Sequence, residues 1–258
     1  MERIYHLQLK KEMLKGARFA LLTGNPQRVE KIAKFYDPQA RHLSTHREFT
    51  SWLGYLDTIP VLTISTGIGG PSTAIVIEEL AKLGIDTFIR LGTSGAIQKY
   101  IKLPDLIITT GSVRLDGTSI HYAPIEYPAV ADHEIVNALI HAADALSIPY
   151  HVGITASTDT FYPGQERYES FSGYIIKNFQ GTLQEWQKLG VLNYEMESAT
   201  LFTVCNALRL RAGCITCAIV NRVVKNKDQI QQKTLALAEE IIAKAGIEAL
   251  RQLFSTTS

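Results

Sequence analysis

The chain has 258 residues, 46% of them hydrophobic and 20% charged, with a formal net charge of +1. That balance is ordinary for a globular protein, and a chain of this length buries roughly three quarters of its unfolded surface, enough for one large core or two smaller ones. It excludes the clustered basic face of a nucleic-acid binder, although a few local arginines can still hold a small anion.

The N-terminal stretch has no apolar leader. Arg18–Thr23 then reads as a short strand, followed by Gly24-Asn25-Pro26. Asn is a good N-cap, and Pro suits the first helical position because its missing N–H would be unpaired there anyway. Val29, Ile32, Ala33 and Tyr36 continue at helical spacing. Val61–Ser65 is a second strand, Thr66–Pro71 a tight turn, and the helix that Pro71 opens closes near Gly84. Thr87–Leu91 is a third strand and runs into a glycine turn, Gly92-Thr93-Ser94-Gly95. Further strands are predicted at Leu106–Thr110, His151–Ser157 and Cys214–Val220, and helices at Asp132–Leu146, Glu197–Leu208 and Asp228–Phe254.

Strands separated by helical patterns predict an α/β protein with a mixed sheet and helices on its faces. No repeat, low-complexity tract or linker divides it, so one domain over residues 1–258 is expected. The longest uncharged stretch, Val61–Ile77, is broken by glycines and a proline and does not read as a membrane span. A cytoplasmic protein without membrane or nucleic-acid partners is expected. Cys205, Cys214 and Cys217 form no disulfide framework. The spacing of Cys214 and Cys217 allows a metal or redox pair, but the apolar run around them favours buried strand cysteines.

In α/β sheets ligands bind beyond the carboxyl ends of strands, and three such ends stand out. At Gly24–Arg28 a helix N-terminus offers free N–H groups and Arg28 adds a fork of donors, which makes either an anion site or an ordinary capped helix with a solvated Arg. At Thr66–Ser72 the glycines fail the dinucleotide-binding spacing, so close helix–strand packing explains most of them. At Arg90–Gly95 a lone charge near the end of an apolar strand demands compensation, either from a structural carboxylate or from an anionic ligand, with Thr93 supplying a further donor.

Two later segments add polar chemistry. Phe161–Arg167 is an aromatic, turn-rich loop in which Gln165 can donate and accept while Arg167 only donates. Asn193–Ser198 sets Glu195 and Glu197 beside a helix start, where complementarity with the helix dipole is the simpler explanation.

Gly24–Ala33 (GNPQRVEKIA), Ser44–Thr50 (STHREFT), Ser65–Ile75 (STGIGGPSTAI), Arg90–Gln98 (RLGTSGAIQ), Ser112–Gly117, Asp159–Tyr168 (DTFYPGQERY), Asn193–Leu201 (NYEMESATL) and Ile219–Arg222 occur in one order along nearly the whole chain. Together they resemble the hexameric nucleoside phosphorylase family, in its branch that acts on uridine. The resemblance implies a single-domain, three-layer α/β fold around a mixed, partly barrel-like sheet. It also implies reversible phosphorolysis of uridine to uracil and ribose 1-phosphate, with inorganic phosphate as co-substrate and no organic cofactor. A homohexamer built as a trimer of dimers with shared active sites is implied as well.

Carried over, phosphate would be held by Gly24, Arg28, Arg90 and Thr93, with Arg47 from the neighbouring subunit. Ribose would meet Met196 and Glu197, with Glu195 close by and the neighbour's His6. The base would meet Gly95, Phe161, Gln165 and Arg167, walled by Ile219 and Val220 with Arg222 near the mouth. Arg90, Glu197, Gln165 and Arg167 would carry the catalysis. Glu48, Ile68 and Ser72 match positions that hold potassium at a dimer interface. The chain departs from the family at Thr23–Arg28, where Pro-Gly-Asp-Pro-Asp-Arg is usual, at Ser94, where Thr is common, and after Arg222.

The rivals are a purine nucleoside phosphorylase, a nucleosidase of the same fold, and a silent nucleoside-binding protein. Purine-specific relatives place an Asp just after the equivalent of Val220, and Val220-Asn221-Arg222 carries none. A nucleosidase or a silent binder should have lost the arginines or Glu197. The charge argument predicts that Arg90→Ala impairs phosphate-dependent turnover by orders of magnitude and leaves folding largely intact.

Overall fold

The computed structural model describes residues 3–225 and 229–256. Its first half runs β1 (Phe19–Thr23), α1 (Pro26–Tyr36), β2 (Arg41–His46), β3 (Phe49–Leu56), β4 (Ile59–Ser65), α2 (Gly70–Leu83), β5 (Thr87–Ala96), β6 (Leu106–Leu115) and β7 (Ala129–Val130). Then come α3 (His133–Ala145), β8 (Tyr150–Thr158), α4 (Thr182–Lys188), β9 (Asn193–Glu195), α5 (Ser198–Ala207), β10 (Arg211–Asn221) and α6 (Gln232–Thr256). Asp228, the expected start of the last helix, lies outside the described residues.

Local chemistry sets the helix ends. Asn25 Oδ1 accepts from the Gln27 amide at 3.0 Å, and Asp132 Oδ1 accepts from Glu134 and Ile135 at 3.0 and 3.1 Å. Both satisfy N–H groups that a helix start leaves open. Gly84 ends α2 with φ of 103°, a conformation that is costly for any residue with a Cβ.

The strands form one mixed sheet whose middle closes on itself. β5 pairs with β9, β9 with β8, β8 with β6, β6 with β10, and β10 returns to β5, which makes a five-stranded ring. From β5 an open wing continues through β1, β4, β3 and β2. On one face α1, α3 and α6 bury Ile32, Leu139 and Ile242 against Leu21, Ile89 and Ile215. On the other, α2 and α5 bury Val76, Leu80 and Phe202 against Leu22, Leu62 and Phe88. Each such side chain contributes about 1.5–3 kcal/mol by leaving water. The result is the expected three-layer α/β arrangement with a partly barrel-like sheet. All three cysteines are buried and free, and burial pushes the Cys214 and Cys217 thiols up to about 12.

A chain of hydrogen bonds crosses the ring. Thr109 Oγ1 meets Thr155 Oγ1 at 2.8 Å, and Thr155 donates to Asn193 Oδ1 at 2.8 Å. Asn193 Nδ2 donates to Thr216 Oγ1 at 3.1 Å, and Thr216 meets Ser94 Oγ at 3.0 Å. Each ring strand supplies one member. β9 and β10 are not neighbours, so the link from Asn193 to Thr216 spans the interior. Because the single Thr155 proton goes to Asn193, Thr109 is the donor in the first link.

Two expectations are corrected. Gly92–Gly95 is not a turn, since β5 runs straight through it to Ala96. Its glycine marks a close approach: a Cβ on Gly92 would stand 2.9 Å from Arg90 Nη2. The strands β2 and β3 were not expected. Their turn carries Arg47 at φ of 54°, and the next one carries Asp57 at 57°. Neither offers the Gly-containing pair that signals a hairpin in sequence.

Candidate active site

A cavity of about 690 Å³ opens at the carboxyl ends of β1, β4 and β5. Its floor is an ion-pair cluster. Arg90, 5% exposed, donates from Nε to Glu195 Oε2 at 3.0 Å and pairs through Nη2 with Glu197 Oε2. Burial opposes the Arg90 charge, but Glu197 and then Glu195 outweigh it, and the net direction is upward, so the guanidinium stays protonated. Arg90 Nη1 is buried and has no partner among the described residues. Of the two alternatives for Arg90, the geometry supplies the structural carboxylate twice over and leaves one donor free of a protein partner among the described residues.

The carboxylates are themselves fixed. Glu195 accepts from the amides of Glu197 and Ser198 and from Ser198 Oγ at 2.6 Å. Ser112 Oγ in turn meets Ser198 Oγ at 2.7 Å. Glu197 accepts from the Gly69 amide at 2.6 Å. Burial raises the Glu197 pKa above the ordinary carboxylate value, with Arg90 opposing and Glu195 adding.

The glycine loop after β4 serves this cluster. Gly67 and Gly69 take φ of 71° and 94°, which turns the Gly69 N–H toward Glu197. A Cβ on Gly70 would meet Thr200 Oγ1 at 2.5 Å, so that glycine serves packing, as expected.

Beside Arg90 the cavity is lined by Gly24, Asn25, Pro26, Arg28 and Thr93, the N-terminal turn of α1 included. Arg28 was expected to stand free or bind an anion. Its Nε donates to Glu239 Oε1 at 2.7 Å, from the far helix α6, a partner that neither alternative included. Nothing in the sequence signals that pair, since Glu239 lies 211 positions from Arg28.

The cavity is lined further by Gly95, Phe161, Gln165, Ile219 and Val220, all candidates for the base, by Met196, a candidate for the ribose, and by Tyr194 and Ile230 in addition. Gln165, 3% exposed, donates to Thr158 Oγ1 at 3.3 Å. Arg167 does not line the cavity. Its guanidinium stacks behind Phe161, 4.2 Å from the ring centroid, and bonds Glu169 at 3.0 Å. Arg222 also stays behind the wall, over Tyr194, donating to the backbone carbonyl of Gln165. Burial, and then the nearby Arg167, lowers its pKa to about 10. Asn221 is fully buried and donates to the Gln98 and Ile101 carbonyls at 2.9 Å each.

His6 and Arg47 lie outside the cavity of their own chain. His6 Nδ1 meets Glu79 Oε1 at 2.7 Å, and the His6 carbonyl lies 2.8 Å from His46 Nδ1, next to Arg47 at the β2–β3 turn. Glu48 lines the cavity from the same turn, so this surface adjoins its mouth. Ser72 Oγ donates to the Ile68 and Gly69 carbonyls at 3.3 Å each. Among the described residues no group of three or more His, Cys, Asp or Glu is placed to hold a metal, and no helix is long and apolar enough to cross a membrane.

Cationic donors, a helix N-terminus and a buried carboxylate thus converge at strand ends of a partly closed α/β sheet. Comparison with known proteins gives that arrangement its family. The sequence profile of the Phosphorylase superfamily matches residues 18–251, and the chain belongs to that superfamily. It is 52% identical over 250 residues to the uridine phosphorylase of Escherichia coli (strain K12), covering 97% of this chain and 98% of that one. Over 255 residues it is 52% identical to the uridine phosphorylase of Haemophilus influenzae, covering 99% and 100%. The uridine phosphorylase of Thermococcus kodakarensis is 48% identical over 233 residues, covering 90% and 83%.

Proposed function

We propose that the chain catalyses the reversible phosphorolysis of uridine to uracil and ribose 1-phosphate. The observation that carries this reading is the unpartnered Nη1 of Arg90, a residue that lines one cavity together with Arg28, Glu197 and Gln165. A buried donor without a partner is costly, and a phosphate oxygen would satisfy it.

In this reading Arg28, Arg90, Thr93 and the Gly24 backbone hold phosphate in line with C1′ of the ribose. A phosphate oxygen forms a bond to C1′ as the bond from C1′ to N1 breaks, and the electron pair leaves on uracil. The phosphate charges stabilise the electron-poor sugar. Glu197 accepts from the ribose hydroxyls, with Met196 against the sugar and Glu195 holding Arg90.

Gln165 pairs with N3–H and a carbonyl of uracil, and those bonds strengthen as charge builds on the base. Arg167 and Arg222, behind Phe161 and Gln165, hold that wall and add positive potential. Cytosine presents an acceptor and a donor where uracil has the reverse, and such mismatches cost about 10⁴-fold or more. Asn221, bonded away from the cavity, and the cationic Arg222 leave no acid there to protonate a purine.

His6 and Arg47 complete the site of a neighbouring subunit in this reading, within a trimer of dimers. Glu48, Ile68 and Ser72 supply oxygens around Gly67, a donor set that suits a hard monovalent cation such as potassium shared between two chains.

The deciding assay incubates the purified protein with uridine, with and without phosphate, and follows uracil and ribose 1-phosphate. Phosphate-dependent formation of both is expected. Free ribose, or turnover of inosine in place of uridine, defeats the reading.

A further inference from the structure

Arg28 reaches the cavity from α1, yet the group that fixes it comes from a distant part of the chain. Its Nε lies 2.7 Å from Glu239 Oε1, and the second oxygen of Glu239 lies 3.5 Å from Lys31 Nζ. The Arg28 and Glu239 side chains are only 15% and 19% exposed, so this is not a loose surface pair. With Nε taken, the two terminal nitrogens of Arg28 make no hydrogen bond among the described residues, and Arg28 lines the cavity.

We propose that Glu239 is a positioning residue for the anion end of the site: it clamps the Nε edge of Arg28 and so presents the remaining fork to phosphate. The proposal rests on the reading of Arg28 as a phosphate ligand.

Two effects of Glu239 oppose each other. Its charge tempers the attraction of Arg28 for an anion, while its geometry removes the rotamer freedom that a long arginine would otherwise lose on binding. Lys31 on the second oxygen offsets much of the charge, and the carboxylate is too occupied to compete for the terminal nitrogens. Orientation is therefore the larger effect. The sign follows: truncating Glu239 weakens phosphate binding, although it removes a negative charge from an anion site.

The test measures initial rates over a grid of phosphate and uridine concentrations for Glu239→Ala, Glu239→Gln and Arg28→Ala. Glu239→Ala is expected to raise the phosphate KM by roughly tenfold, the loss of about one charge-assisted hydrogen bond, and to move the uridine KM by less than about twofold. Glu239→Gln keeps an acceptor for Nε and should hold the phosphate KM within about threefold of wild type. A phosphate KM that is unchanged or lower in Glu239→Ala overturns the proposal, as does Glu239→Gln being impaired as much as Glu239→Ala. Should Glu239→Ala not fold, phosphate binding to Glu239→Gln and Glu239→Asp decides. The shorter Asp cannot reach Arg28, so it must bind phosphate more weakly than Gln, and equal binding overturns the clamp. If Arg28→Ala itself leaves the phosphate KM unchanged, the reading of Arg28 has failed and the proposal falls with it. If only the Glu239 variants are silent, that reading survives alone.

Discussion

Gly92 and Arg90 share one face of β5, and a Cβ on Gly92 would lie 2.9 Å from Arg90 Nη2 and 3.3 Å from the Thr216 methyl. Both neighbours are buried, so the guanidinium must give way if a methyl group is added. Gly92→Ala should keep the fold and lower kcat/KM for phosphorolysis by about 100-fold, the cost of an ångström-scale displacement of a catalytic group. Steady-state kinetics with unchanged circular dichroism would bear this out. Near-normal turnover would mean that the position of Arg90 is not critical.

Arg90 also answers for stability, which its sequence context alone did not disclose. Removing it leaves Glu195 and Glu197, both nearly inaccessible, without their shared counter-charge. Arg90→Ala should therefore cost about 3–5 kcal/mol of stability in addition to abolishing turnover. This revises the expectation of an intact fold. Urea unfolding checks it, and a midpoint equal to wild type would contradict the buried cluster.

The raised pKa of Glu197 gives a pH signature. The carboxylate is the form that accepts from ribose, so kcat/KM for uridine should fall on acidification at a pH above the ordinary Glu value of about 4.3. Glu197→Gln should be slower and flat across that window. The stability sign is opposite: a folded-state pKa raised above the unfolded one stabilises below the unfolded value, and that contribution is lost as pH rises through the folded one. An acid limb that survives in Glu197→Gln would assign it to another group.

The hydrogen-bonded chain across the ring makes a further prediction. Thr216 accepts from Asn193 and meets Ser94. Thr216→Val keeps the shape but leaves both partners unsatisfied, at about 1–3 kcal/mol each. Thermal unfolding of this variant should occur well below wild type, and the double change with Ser94→Ala should lose less than the sum of the single ones.

Much of this was legible in the chain because strand ends, caps and glycines carry local chemistry. Asn25-Pro26 announces α1, and the glycines after β4 announce a tight approach. What escaped was either short or distant. β9 has three residues, too few for a period to show. The β2–β3 turn uses Arg47 in a left-handed conformation that nothing local betrays. Glycine at position 92 looked like a turn because spacing cannot tell a bend from a gap left for another side chain. The Glu239 to Arg28 pair joins residues 211 positions apart, and no window spans that distance.

β5 belongs both to the closed ring and to the open wing, and it carries Arg90 at one end of the cavity and Gly95 at the other. At about 3.3 Å per residue, the strand between them runs about 16 Å. It pairs with β10 along that length and is held on its other side by β1 at Arg90 and by β9 at Gly95, so it behaves as an inextensible ruler. A bulkier base cannot be admitted by lengthening that rule. Room has to come from the Phe161–Arg167 loop or from the stretch around Ile230, and variants selected for new substrates should collect their changes there.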